Sequence, residues 1–468
     1  MKSVTLRLGA FVIGLSFVVL LAVGVLPAAA QKPTGVPVSL YELYATARSD
    51  SPAVQASMAG YQASQYSLND AYFGYLPRAS VSFNKQREGQ KVYATDNPVY
   101  QVGSGRYSNK GYTFQALQPL VDFPAMARIA GGYAERRNQA SQFAAVKQKM
   151  TYDLIEAYLL ALAALDDERL AKSEEETYAG HQTEIQRRLD RGMGNRTDLA
   201  DVEARISKAQ SDRIAAHSVV LKALTMLQRI STQQVRGVYP LKSSFPMGAP
   251  IPSNPESWVE SGRQTNPEIQ ALIAQSDVAD AEFKRLIGEL LPRLDIIASD
   301  QYLDSGGSLY GGGARTDQQT LELRLTVPMF NADGRGYPSF AAGERRSQAR
   351  YAAQDRQLDI EQRIRASYLD ALRNARMSVP LLAAAKARES VQRDISSRFS
   401  AGVGTTAEML DASRDYVRSR REALAASYNY LIAMMQLKRL TGTIGEDDIR
   451  HIDGLLDRSH IYVATALR

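Results

Sequence analysis

Two tandem copies of one α+β unit, each joining a pair of short strands to a very long helical hairpin, are what the sequence predicts. Three observations carry that prediction. Matching blocks recur at a near-constant offset through the 468 residues. Four segments alternate polar with apolar residues at period two, and two stretches of about seventy residues are dominated by helix formers.

The duplication comes first, because it orders everything else. Ser51-Pro52-Ala53-Val54-Gln55-Ala56 is matched by Asn266-Pro267-Glu268-Ile269-Gln270-Ala271, and Leu76-Pro77-Arg78 by Leu291-Pro292-Arg293 at the same spacing. Glu135-Arg136-Arg137 answers to Glu344-Arg345-Arg346, and Arg191-Gly192-Met193-Gly194 to Ala401-Gly402-Val403-Gly404. The chain divides into a leader (1–30), a first repeat (31–240), a connector (241–255) holding Pro246, Pro250, Pro252 and Pro255, a second repeat (256–450) and a C-terminal tail (451–468).

The leader reads as an export signal. Lys2 and Arg7 precede an apolar run from Leu8 to Leu26, and Ala28-Ala29-Ala30 supplies small residues at a cleavage site, so the mature chain is expected to begin at Gln31. No later stretch is long and apolar enough for a spanning helix, so any membrane crossing falls to strands.

Each repeat opens on a helix that stops before a proline, Pro77 or Pro292, because proline cannot continue the ladder. Strands are expected near 79–87 and 110–118, and again near 293–302 and 319–327. The clearest is Leu321-Glu322-Leu323-Arg324-Leu325-Thr326-Val327, apolar on one face and polar on the other. Each has about the length a tilted strand needs to cross a bilayer. Gly-, Asn- and Ser-rich loops join them near 88–109 and 303–318, and Tyr100, Tyr112, Tyr302 and Tyr310 near the strand ends suit an interfacial belt. Helix formers then run from Asp122 to Arg191 and from Asn331 to Ala401, with Pro124, Pro338 and Pro380 as interruptions. Such a helix would measure roughly 100 Å and needs partners along its length. The returning helix offers a seam of Leu410, Val417, Leu424 and Leu431 at steps of seven.

Composition removes other classes. Lys plus Arg exceed Asp plus Glu by only 56 to 50, too little to argue for nucleic acid. Cysteine is absent, which excludes disulfides, thiolate metal sites and a lipidated N-terminal cysteine. Four histidines, His181, His217, His451 and His460, fall into no metal-ligand spacing. Gly306-Gly307 and Gly311-Gly312-Gly313 lack the lysine of a phosphate loop. No catalytic residue, cofactor or metal is expected, and an enzyme is not.

Four amphipathic strands cannot close a barrel, and an open edge cannot persist in lipid. Either several copies contribute, three giving twelve strands with cyclic symmetry, or the strands form a soluble sheet in an exported coiled-coil adaptor or scaffold. Strand pattern alone leaves both open.

The combination resembles the TolC family of outer-membrane efflux and secretion channels. The resemblance rests on the duplication, on Leu76-Pro77-Arg78 and Leu291-Pro292-Arg293 before the strands, and on Gln118-Pro119-Leu120 and Val327-Pro328-Met329 after them. Its most specific part runs from Phe399-Ser400-Ala401-Gly402 through Glu408-Met409-Leu410-Asp411-Ala412 to Thr441-Gly442-Thr443-Ile444-Gly445. The resemblance implies a homotrimer: a twelve-stranded outer-membrane β-barrel, four strands per chain, continued by a long periplasmic α-helical barrel. It implies outer-membrane lipid around the strands, and a periplasmic adaptor that links the tip to an inner-membrane pump of ABC or RND type.

Read from the residues, Gly192 and Gly194, and Gly402 and Gly404, mark two tight turns. Thr405 with Glu408 reads as a capping box, and Asn195 with Asp198 as its counterpart. Chain reversal and capping account for these residues without further function. The resemblance adds adaptor contact at the turns and a gate of Asp198, Glu408 and Asp411. Phe399 stands where the family has a tyrosine and Gly404 where it has an arginine, so helix packing rather than side-chain bonds is expected to hold the entrance, and the acids are expected to make it cation-selective. On the strands, Leu321, Leu323, Leu325 and Val327 are expected to face lipid, with Glu322, Arg324 and Thr326 toward the lumen.

Overall fold

A computed structural model describes residues 39–463, apart from 101, 193, 236, 243–244 and 330–335; the expected leader lies outside the described residues. Every element of the first repeat has a counterpart in the second. Helix α1 (Leu40–Asp50) and helix α2 (Pro52–Phe73) lead into strands β1 (Arg78–Val92) and β2 (Gly103–Val121). Helix α3 (Phe123–Asp190) and helix α4 (Arg196–Ser231) form the first long hairpin, and the two-residue strand β3 (Gly237–Val238) ends the repeat. The second repeat runs α5 (Pro255–Thr265), α6 (Pro267–Gly288), β4 (Arg293–Ser305), β5 (Ala314–Thr326), α7 (Gly336–Ser400) and α8 (Thr406–Leu440). Helix α9 (Glu446–Gly454) and strand β6 (Tyr462–Val463) follow.

Local chemistry sets these boundaries. The single helix expected before each strand pair is two, broken where the matched blocks Ser51-Pro52 and Asn266-Pro267 put a capping residue before a proline at the first helical position. The Asn266 side chain accepts from the Glu268 and Ile269 amides. Ser39 and Glu42 close a capping box on α1. Pro124 and Pro338 sit in the first turns of α3 and α7, where no helix bond is lost. Pro380 lies inside α7, which continues through it.

The long helices are held along their length by three separate cores. At mid-length, Leu154, Ile155, Tyr158, Leu159 and Leu162 of α3 are fully buried against α1, α4, α8 and α9. Ile360 and Ile364 of α7 pack with Trp258 and Val259 of α5 and Leu437 of α8. Tyr178, Val202, Phe399 and Leu410 form the third core near the turns. The expected seam is buried at Leu410, Val417 and Leu431. Residues 451–468 are not a free tail over their described part: α9 crosses the expected boundary, Ile452 and Leu456 join the mid-length core, and β6 pairs with β3. The apolar side of α9, Ile449 and Ile452, is what draws it in.

One buried charge ties α5 to α7. Glu361 is 3% exposed and takes Arg263 Nε at 2.6 Å and a second guanidinium nitrogen at 2.9 Å. Hydrogen bonds from Arg263 hold its carboxyl below the usual range. Arg263→Ala is expected to lower the melting temperature, by less than loss of a fully buried pair would, because the guanidinium is partly in water. A depressed carboxylate contributes above its unfolded pKa and loses that contribution as pH falls through the folded one. Thermal melts should therefore show the gap between wild type and variant narrowing below about pH 4; a gap independent of pH would contradict the assignment.

Candidate functional site

The four long strands form one antiparallel sheet in the order β1-β2-β4-β5, so the two repeats meet at β2–β4 and the outer edges are β1 and β5. The strands are longer than period-two alternation indicated. The β1–β2 ladder continues to Val92↔Gly103, because main-chain pairing persists where both faces turn polar. Val327 lies one residue past the end of β5, so only Leu321, Leu323 and Leu325 of the expected apolar row belong to the strand.

Directly paired residues project to the same face, and the register sorts the sheet cleanly. Leu321 pairs with Ala298, which pairs with Ala116, which pairs with Ala79. Leu323 and Leu325 pair with Ile296 and Leu294. Farther from the helices, Phe114 pairs with Val81 and Tyr112 with Phe83, and Tyr112 stacks on Tyr302 with centroids 5.7 Å apart. Tyr100 and Tyr310 make a separate edge-on pair in the loops at 5.1 Å. Glu322 and Arg324 occupy the opposite face, joined by two hydrogen bonds of 2.8 and 2.9 Å.

The apolar face ends on a step where the two repeats meet. Beyond Leu321 and Ala298 come Gln319 and Asp300 on β5 and β4, whereas on β2 and β1 the next polar residues are Lys110 and Lys85, four residues farther out. Asp300, whose Oδ1 has no partner among the described residues, lies on the second-repeat side of that step, at the polar edge of the apolar band.

At the other end of the molecule the two hairpin turns lie side by side. Each needs two glycines for two reasons. Gly192 and Gly402 adopt φ of +74° and +83°, the left-handed region. Gly194 and Gly404 sit against the last turn of their own helices: a Cβ on Gly194 would lie 2.7 Å from the Leu189 nitrogen, and one on Gly404 3.1 Å from that of Phe399.

Each expected gate acid is engaged within the chain. Glu408 completes the capping box with Thr405, whose hydrogen bonds hold its carboxyl below the ordinary value. Asn195 caps α4 by accepting from the Thr197 amide at 3.1 Å, and Asp198 is not its capping partner. The Asp198 carboxylate instead accepts from Thr406 Oγ1 of the second hairpin at 2.7 Å. Asp411 accepts from Arg205 of the first hairpin at 3.2 Å and lies 3.5 Å from Arg414. Arg188 stacks 4.0 Å over the Phe399 ring and donates to the Phe399 carbonyl. Within the chain, side-chain bonds as well as helix packing join the two hairpins at the tip. Among the described residues, polar links cross between the hairpins through Thr406, Arg205 and Arg188, and no local sequence pattern announces these partners. Residues 187–205 and 393–415 hold eight arginines against eight carboxylates, so the tip is not uniformly acidic. Nearby, His181 faces Ser413 at 3.3 Å, and burial lowers its pKa.

Comparison with known proteins gives a consistent picture. The family model described as outer membrane efflux protein matches residues 43–232 and 258–443, one stretch per repeat. The alkaline protease secretion protein AprF of Pseudomonas aeruginosa is 26% identical over 414 residues, 88% of this chain and 85% of that one. The proteases secretion protein PrtF of Dickeya chrysanthemi is 26% identical over 384 residues, covering 81% and 82%. Among solved structures, the outer-membrane channel OprN superposes with a TM-score of 0.73 at 14% identity, over 86% of this chain and 90% of that one.

The turn geometry predicts graded sensitivity. Gly192→Ala and Gly402→Ala should each cost about 1–2 kcal/mol, the left-handed penalty of a Cβ. Gly194→Ala should be worse than Gly404→Ala, because both meet backbone but its clash is closer, 2.7 Å against 3.1 Å. Hydrogen exchange at the turn amides reads the order; equal protection in all four variants would show that the turns are not so constrained.

Proposed function

The chain belongs to the outer membrane efflux protein family, and from that premise we propose that three copies close one barrel and one helical duct, the passive outer-membrane channel of a type I secretion or tripartite efflux system. One observation carries the reading: a four-stranded sheet whose outer strands, β1 and β5, have no partner on their outer sides among the described residues. In lipid each unpaired backbone group costs several kcal/mol. Pairing β1 of one copy with β5 of the next removes both edges, and three copies give twelve strands. The alternative of a periplasmic adaptor or scaffold has no use for a lipid-faced sheet.

Two relatives named for protease secretion favour protein cargo carried by a type I route. On this reading the leader is removed after Ala30, the long hairpins extend into the periplasm, and the paired turns meet a periplasmic adaptor linked to an inner-membrane pump. The described core, a passive duct, needs no cofactor. Leu321, Leu323 and Leu325 face lipid, and the Glu322–Arg324 pair faces the lumen. Asp198, Glu408 and Asp411 serve the gate as partners of Thr406, Thr405 and Arg205.

Detergent-extracted protein from outer membranes should behave as a trimer by light scattering; a water-soluble monomer would remove the channel reading. Leu323→Arg should cost roughly 2–4 kcal/mol and impair trimer assembly, whereas Glu322→Gln should assemble normally and change only conductance. Equal tolerance of both would reverse the facing. In planar bilayers, Glu408→Ala with Asp411→Ala should raise conductance and weaken block by multivalent cations added at the tip side. Wild-type block in the double variant would reduce these acids to a cap and an arginine partner.

A further inference from the structure

Beyond the aromatic row, the β1–β2 ladder outruns the rest of the sheet. Its last contact with β4 is Asn109↔Ser305, while β1 and β2 continue to Val92 and Gly103. Along this extension the two faces differ sharply in charge. The register that puts Val81, Phe83, Phe114 and Tyr112 on the apolar face carries Lys85, Arg87, Lys91, Arg106 and Lys110 onto the same side, with no carboxylate on these two strands there. The other side holds Asn84, Gln86, Glu88, Gln90, Tyr107 and Asn109. On β2, Ser104, Arg106, Ser108 and Lys110 are exposed, whereas Gly105, Tyr107 and Asn109 are half-buried, which marks the basic side as the outer one.

Few of these charges are neutralised. Lys110 lies 3.5 Å from Asp304 of β4, but Asp304 is shared with Arg315 of β5 at 3.4 Å. Lys85, Arg87, Lys91 and Arg106 form no ion pair among the described residues. Going outward on one face, the order is aliphatic band, aromatic row, basic stripe.

We infer that this stripe is a docking surface for the phosphate groups of anionic lipid in the outer leaflet, a phosphorylated glycolipid in particular. The inference rests on the channel reading, since it needs the apolar band to sit in a bilayer. Given that, the stripe begins one row above the aromatic residues, at headgroup level. Multiple uncompensated cations at that level attract anionic headgroups, with a contribution that grows with each Lys or Arg near the surface. Arginine offers bidentate contacts to phosphate, and lysine reaches along the surface from the row below.

The test uses the full chain, purified in zwitterionic detergent and titrated in mixed micelles with lipid A or with phosphatidylcholine, bound lipid being counted by native mass spectrometry. Wild type should retain lipid A preferentially, and salt should weaken that preference. Lys85→Gln with Arg87→Gln and Arg106→Gln should lower lipid A retention about a hundredfold, about fivefold per charge removed. Glu88→Gln on the opposite face should leave retention unchanged, and competition by inorganic phosphate should require large excess, as expected for a multivalent lipid surface. Trimer mass and planar-bilayer conductance are read on the same preparations. If wild type is a conducting trimer that holds both lipids alike, or if the triple variant conducts and keeps wild-type retention, the docking surface is wrong and the channel stands. If wild type is neither trimeric nor conducting, the channel reading fails and the docking surface with it.

Discussion

Unpaired backbone at the two edges of the sheet governs the architecture. A strand pair or a four-stranded sheet is tolerable in water, where solvent completes the hydrogen bonds, but not in hydrocarbon, where nothing does. Because the duplicated unit supplies only two strands and the chain only four, closure has to come from other copies. That requirement reaches well beyond the strands. Each copy brings its own pair of long hairpins to the same axis, so a barrel closed by three chains brings six hairpins below it.

Helices of this length cannot stand on propensity alone. Instead of one continuous core, the chain uses three, spaced from mid-length to the turns, with ion pairs on the surfaces between them. Arg421 of α8 reaches Asp167 of α3 at 2.6 Å, and Arg213 of α4 reaches Glu175 of α3 at 2.7 Å. The tip core is the smallest, and there polar links supplement packing: Phe399 is buried yet carries an arginine on its ring. A phenylalanine at that position has no hydroxyl but offers a face to a cation, so a cross-hairpin contact forms there through the ring.

Much of this was legible in the sequence because it is local. The proline and glycine punctuation, the capping box at Thr405 and the period-two run from Leu321 each act over a few residues, and the prolines and glycines recur in both repeats. What stayed hidden depends on the register between distant elements. Nothing near Asp198 announces Thr406 as its partner, and the local pattern that suggested a cap with Asn195 was the wrong one. The outer parts of β1 and β2 were read as loop because their alternation is charged on one side and polar on the other, with no apolar signal. Only pairing reveals that the lysines and arginines there share a face.

The belt around the middle of the helices is knitted from residues far apart in the chain. Gly237 and Val238 pair with Val463 and Tyr462, Leu241 bridges to Leu456, and the Asp457 amide donates to the Pro240 carbonyl at 2.8 Å. The first repeat therefore cannot fasten its own middle: the strand that completes it lies more than two hundred residues farther along the chain. A chain cut short between the repeats would own a complete hairpin and half a sheet, but not the knot that holds them.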